Sequence, residues 1–224
     1  MKGTLIFSSC TAAKDDSVVI GAKRTEPEDY ISDPSLLREL RRTREVILSK
    51  PEAKLGTSET YAFDLYVQTG RAYGGIHQQF YAPLRQVLLE ETKPIRWFFL
   101  SGGYGILAAS ESARCYQATF SYQIARQNRI PYTGRLWQPS LRRICEHIVQ
   151  RHADWAVYVF GSRDYTEFLK QSRLPPEAKI IESTGSAGPT RLSPVIAAFA
   201  EALLHENLPA FDKHYPNQFT KLLR

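Results

Sequence analysis

Four short runs decide what this chain can become: Thr4–Ser9, Ile95–Ser101, Trp155–Phe160 and Lys179–Ser183. Each is rich in β-branched or aromatic residues and apolar at consecutive rather than alternating positions, the pattern of a strand covered on both faces. Each is followed at once by small or polar residues: Ser8-Ser9-Cys10, Ser101-Gly102-Gly103, Gly161-Ser162-Arg163 and Thr184-Gly185-Ser186. Helical patterns lie between and after them. Asp33-Pro34 reads as an N-cap followed by Pro at the first helical position, with Leu36, Leu37, Leu40 and Ile47 on one side. A second helix is expected from Gly75 to Glu91, a third from Pro139-Ser140 and a fourth from Ser193-Pro194. Strands alternating with helices predict an α/β fold: a doubly wound, mostly parallel central sheet of about four strands flanked by helices. The 224 residues suit one domain, with 208–224 as a C-terminal tail.

Composition narrows the function classes. Hydrophobic residues at 43% and charged ones at 23% exclude a mainly disordered chain. The net charge of +6 points to a polyanionic partner, nucleic acid first, although solvated lysines give the same surplus. Cys10, Cys115 and Cys145 form no CxxC pair, which argues against a disulfide scaffold or a cysteine zinc site and fits a reducing cytoplasm. The opening run Leu5-Ile6-Phe7 is too short for a signal peptide, and no apolar stretch has the length of a membrane span. The expectation is a cytoplasmic protein without a membrane partner or an obligatory protein partner. The five histidines show no metal-ligand spacing, and neither a Walker A loop, a dinucleotide-binding glycine pattern nor a G-x-S-x-G elbow is present. Neither a metal nor a cofactor is expected.

In an open α/β sheet, ligands bind beyond the carboxyl ends of the strands, so the four small or polar segments are the candidate site. Gly102, Gly103 and Gly105 flank Tyr104 and would let the backbone approach a ligand, though glycines alone equally make a tight turn. Thr184 to Arg191 joins the fourth strand to a helix, and its small residues would let the loop press on a phosphodiester backbone, with Arg191 supplying charge. Asp15, Asp16, Asp64 and Glu111 are the carboxylates near strand ends.

Leu100-Ser101-Gly102-Gly103-Tyr104-Gly105-Ile106-Leu107 resembles the LS-x-x-YGLL signature of the YaaA-type peroxide-stress proteins and their relatives of unassigned function. An acidic residue seven positions after the signature tyrosine falls on Glu111, and the next family tyrosine on Tyr116. Ser9, Cys10 and Lys14 are similar to the family's opening strand and the lysine after it; Asp64-Leu65-Tyr66 and Arg71 match a less distinctive segment. Ala108-Ala109 departs from a usual proline region, and Thr119 stands where some members have an acid. The resemblance implies DNA-binding capacity and a core like that of uracil-DNA glycosylases.

Two readings follow, from different classes. The first is a DNA glycosylase that flips a damaged or modified base and cleaves its N-glycosidic bond. Such a reaction needs a carboxylate to steady the sugar cation or position water, for which Glu111 ranks first, then Asp15 and Asp64. Ser9, Cys10, Ser101, Gly102, Gly103, Tyr104 and Tyr116 are the expected base pocket. Lys14, Arg71, Ser162, Arg163, Ser186 and Arg191 are the expected grip on the DNA backbone, with an amine-nucleophile role for Lys14 held in reserve. The second reading is a non-enzymatic DNA-binding stress-response protein. A nucleoside hydrolase or transferase would keep the pocket without the grip.

Overall fold

A computed structural model of the chain describes residues 2–18, 20–21, 24–184 and 188–222. In chain order the elements are β1 (Thr4–Ser9), α1 (Pro27–Tyr30), α2 (Pro34–Leu48), β2 (Glu59–Tyr61), α3 (Ala62–Val67), α4 (Gly74–Gln79), α5 (Tyr81–Glu90), β3 (Ile95–Ser101), β4 (Gly105–Ala108) and β5 (Ser112–Arg114). They continue with α6 (Tyr122–Asn128), α7 (Gly134–Arg151), β6 (Ala156–Ser162), α8 (Arg163–Lys170), β7 (Lys179–Ser183), α9 (Gly188–Leu204), α10 (Leu208–His214) and β8 (Phe219–Leu222).

The central sheet has six strands in the order β4-β3-β1-β6-β7-β8. All neighbours pair in parallel except β4, which runs antiparallel to β3. A separate two-stranded ribbon joins β2 to β5. Helices cover both faces: α2, α7 and α8 pack in sequence on one, and α9 lies with α4, α5 and α10 on the other. The strands are continuous apolar runs because both faces are covered, and β1 is buried at every position. Rings fill the interior; Phe199 of α9 lies 4.7 Å from Tyr158 and 4.9 Å from Phe160.

The four expected strands are present, the third shifted to 156–162, and the sheet gains β4 and β8. Segment 208–224 therefore carries a helix and a sheet-edge strand within its described part. Asp33 caps α2 as its sequence signals, accepting from the N–H groups of Ser35 at 2.7 Å and Leu36 at 3.2 Å. Three helix boundaries differ from the sequence reading. The stretch expected as one helix from Gly75 breaks at Phe80, whose backbone leaves the helical region. A start at Tyr81 puts Pro83 in the first turn of α5, where its missing N–H leaves no gap. The third and fourth helices begin at Gly134 and Gly188, with Pro139 and Pro194 inside them rather than opening them. Ser193, which resembles a cap, instead accepts a hydrogen bond from the Gly75 N–H at 2.9 Å.

Candidate functional site

From β1 the chain reaches β3 on one side, and β6 then occupies the other side of β1, so the order of parallel strands switches between β1 and β6. Ligand crevices in open α/β sheets form at such a point, outside the carboxyl ends. The strand ends meet there: the Cys10 N–H donates to Leu100 O at 2.8 Å, and a Cβ on Gly161 would lie 3.4 Å from Ser9 Cβ. The loop after β1 turns toward α3, where the Asp15 N–H donates to Leu65 O at 3.1 Å. Helix α8 leaves β6 across the opposite face, against α7.

Between those diverging segments sits a buried network of hydroxyls and one thiol. Ser101 Oγ is 2.7 Å from Tyr116 Oη, accepts from Tyr66 Oη at 3.3 Å and takes the Tyr104 N–H at 3.0 Å. Tyr116 Oη donates to Cys10 Sγ at 3.4 Å, and the Cys10 thiol donates to Tyr165 Oη at 3.5 Å. Thr119 Oγ1 is 3.5 Å from Tyr165 Oη on the far side. Burial pushes the phenols of Tyr66, Tyr116 and Tyr165 well above their ordinary range, so they stay protonated and serve as hydrogen-bond donors.

Lys14 caps this network at its mouth. Its Nζ stands 4.2 Å above the centre of the Tyr116 ring, and its one hydrogen bond among the described residues is a 3.4 Å contact to Ala12 O. Burial draws the ammonium below the ordinary lysine range, against the opposing pull of Cys10 and Cys115. Burial, with Asp16 beside it, pushes the Cys115 thiol up to about 11. Asp15 accepts the Ser17 N–H at 2.8 Å and is held below the ordinary carboxyl range by Ser17, so it is ionised at neutral pH.

The sequence-selected residues divide into those this edge brings together and those it does not. Ser9, Cys10, Lys14, Asp15, Ser101, Tyr104 and Tyr116 belong to it. Gly102 and Gly103 belong to it as packing positions: a Cβ on Gly102 would lie 2.5 Å from Ala118 O, and one on Gly103 2.5 Å from the Tyr116 ring. Ser162 precedes α8 without a side-chain cap bond, and Arg163 is the first residue of that helix, exposed. Arg191, in the first turn of α9, donates to Thr184 O at 3.3 Å. Arg71 is exposed beside Gly70, where a Cβ would come within 2.4 Å of Thr11 Cγ2, so it stands by the same loop. Ser186 lies outside the described residues.

Glu111 and Asp64 are each held in a buried ion pair. Glu111 Oε1 takes Arg44 Nη1 at 2.6 Å, while Oε2 takes Tyr30 Oη at 2.7 Å and the Ala108 N–H at 3.2 Å. Arg44 also donates to Tyr104 O at 2.9 Å, so this carboxylate ties α2 to the β3–β4 hairpin. Asp64 is fully buried, accepting from Arg85 Nε at 2.9 Å and from Tyr81 Oη at 2.5 Å. Neither Arg44 nor Arg85 was legible as a partner, because 67 and 21 residues separate these pairs. Tyr165, the ring that closes the network from α8, also escaped sequence reading. Its only signal is that it follows the β6 turn by a few residues.

Beside the network, a groove of about 310 Å³ opens at the start of α8. Phe120, Tyr132 and Phe168 line it together with Gln138 and Arg163. Phe120 connects groove to network, its ring 4.8 Å from that of Tyr165. Among the described residues no group of three or more His, Cys, Asp or Glu is placed to hold a metal ion, and no helix is long and apolar enough to cross a membrane. The fold and edge define an α/β protein with a polar site at the switch point of a mostly parallel sheet. Comparisons with protein-family models, curated proteins and solved structures gave no match, so the geometry carries the functional argument alone.

Proposed function

We propose that the protein is a cytoplasmic DNA glycosylase, excising a damaged or modified base by hydrolysis of its N-glycosidic bond after flipping the nucleotide. The observation that carries this reading is the meeting of Asp15, Lys14 and the hydroxyl network at the switch point, with Arg71, Arg163 and Arg191 on segments that leave the same edge. The resemblance to YaaA-type proteins and to a uracil-DNA-glycosylase-like core belongs to this reading. Its support is the polar turn that follows each buried parallel strand.

The chemistry follows from the groups. Flipping costs roughly a few kcal/mol and is offset by backbone contacts and by stacking of the extruded base. Arg71, Arg163 and Arg191 supply the contacts, and the starts of α8 and α9 present positive dipole ends to phosphates. The Tyr132 ring, partly exposed along the groove, supplies a stacking face. As the bond breaks, positive charge grows on the sugar, and the ionised Asp15 steadies it or orients the attacking water. Of the network phenols, Tyr66 and Tyr116 donate within it, and Tyr165, which accepts from Cys10, turns its O–H to the departing base. The carboxylate role thus moves from Glu111, which is already committed to Arg44, to Asp15.

A second reading, a non-enzymatic DNA-binding stress protein, draws on one observation: the phenols of Tyr66, Tyr116 and Tyr165 fill the interior of the network with bonds to one another and to Ser101, Cys10 and Thr119. Duplexes carrying uracil, oxidised, alkylated or hydroxymethylated bases, incubated with the protein and then treated with alkali, separate the two. Strand scission at the modified position is the expected result. Tight binding with no abasic sites on any duplex would replace excision by binding. Base release from free nucleosides without DNA affinity would indicate a nucleoside hydrolase.

A further inference from the structure

Lys14 has surroundings that a phosphate-gripping lysine does not need. It sits past the carboxyl end of β1, at the switch point, partly buried, with its Nζ over a ring rather than beside a carboxylate. No carboxylate lies within ion-pair distance of it among the described residues. Facing it are the thiols of Cys10 and Cys115 and the Tyr116 ring, with Asp16 beside Cys115 and Asp15 next along the chain. A surface ammonium is a strongly hydrated point charge; burial with a single weak acceptor and no carboxylate partner strips that hydration and eases loss of the proton, against the Tyr116 ring face, which favours the charged form. An uncharged amine is a nucleophile toward carbonyl carbon.

We infer that Lys14 is an amine nucleophile that captures the C1′ aldehyde of an abasic deoxyribose in DNA as an imine and so cleaves the strand. The inference rests on the reading of this edge as a sugar–base site and adds a lyase step to it. The Nζ lone pair attacks C1′ of the ring-opened sugar, and the carbinolamine loses its oxygen as water together with the two amine hydrogens. The imine acidifies C2′, whose proton passes to water. The electron pair left behind forms the C2′–C3′ double bond as the C3′–O bond breaks and the 3′ phosphate departs. Water then hydrolyses the imine and returns the amine. No oxidant or reductant enters.

The test supplies a preformed abasic site, so it does not depend on base excision. The full chain is incubated with a duplex containing one abasic site, borohydride is added to reduce any imine, and the adduct is located by peptide mapping. A duplex with a tetrahydrofuran site, which has no aldehyde, is the control. The expected result is a covalent adduct on the peptide containing Lys14, absent with the control and reduced at least tenfold in K14R. Its rate should reach half-maximum below the ordinary lysine value of about 10.4. Mapping of the unsubstituted protein gives the answer even where K14R fails to fold. No adduct, or adducts spread over surface lysines and undiminished in K14R, would overturn the inference. Base release without trapping would sink the lyase step alone, and trapping without base release on any duplex would sink the glycosylase reading alone.

Discussion

At the scale of single residues, burial decides which carboxylates are free to act. Glu111 spends both oxygens on Arg44, Tyr30 and a backbone N–H, and Asp64 spends its own on Arg85 and Tyr81. Removing one partner of a buried ion pair leaves the other uncompensated, at about 3–5 kcal/mol. E111Q is therefore expected to lose stability on that scale in urea denaturation, while its folded fraction keeps activity. Asp15, which makes no ion pair among the described residues, should behave the opposite way: D15N keeps the fold and loses chemistry. Lys14 adds a pH signature. A base whose folded pKa lies below its unfolded value binds fewer protons when folded, so stability rises with pH from the folded value toward about 10.4. Unfolding measured across that window should show this rise in the wild type relative to K14M; identical pH profiles would contradict the surroundings assigned to Lys14.

At the scale of elements, the β3–β4 hairpin sets the floor of the site. Gly105 adopts φ +72°, and a Cβ there would lie 2.6 Å from the Trp137 ring, so G105A combines backbone strain with a clash. Its expected cost exceeds about 1 kcal/mol, visible as a lowered melting temperature. The same element shows what a sequence can and cannot reveal. The four buried strands were legible because short apolar runs rich in β-branched or aromatic residues and closed by small or polar ones read as buried strands, and α2 because Asp33-Pro34 is a local cap. Strand β4 was hidden inside a glycine-rich signature that reads as a turn, and β8 lacks an apolar face, alternating between exposed and partly buried positions. Pro139 and Pro194 read as helix openers because proline favours the first turn, whereas both helices begin more than a turn earlier, at Gly134 and Gly188. The edge that gathers Cys10, Lys14 and Tyr104 was legible from strand ends alone. Tyr165 and the arginine partners of Glu111 and Asp64 were not, because they meet only through folding.

At the scale of the whole molecule, the proposed grip on DNA draws on a few of the chain's 29 Lys and Arg residues. Arg71, Arg163 and Arg191 come from three different connections yet stand at one edge, where the starts of α8 and α9 also lie. Affinity for duplex DNA should fall steeply with salt, and each of R71A, R163A and R191A should lower the logarithmic salt slope by about 1. A slope unchanged in all three would place the DNA on another face. The most direct test quantifies free base released from a modified duplex by the wild type, E111Q and D15N under one condition. Release by the wild type and folded E111Q, with D15N at least a hundredfold slower at equal DNA affinity, is the expected result. Release undiminished in D15N, or lost in folded E111Q alone, would contradict a reaction centred on the carboxyl ends of β1 and β6.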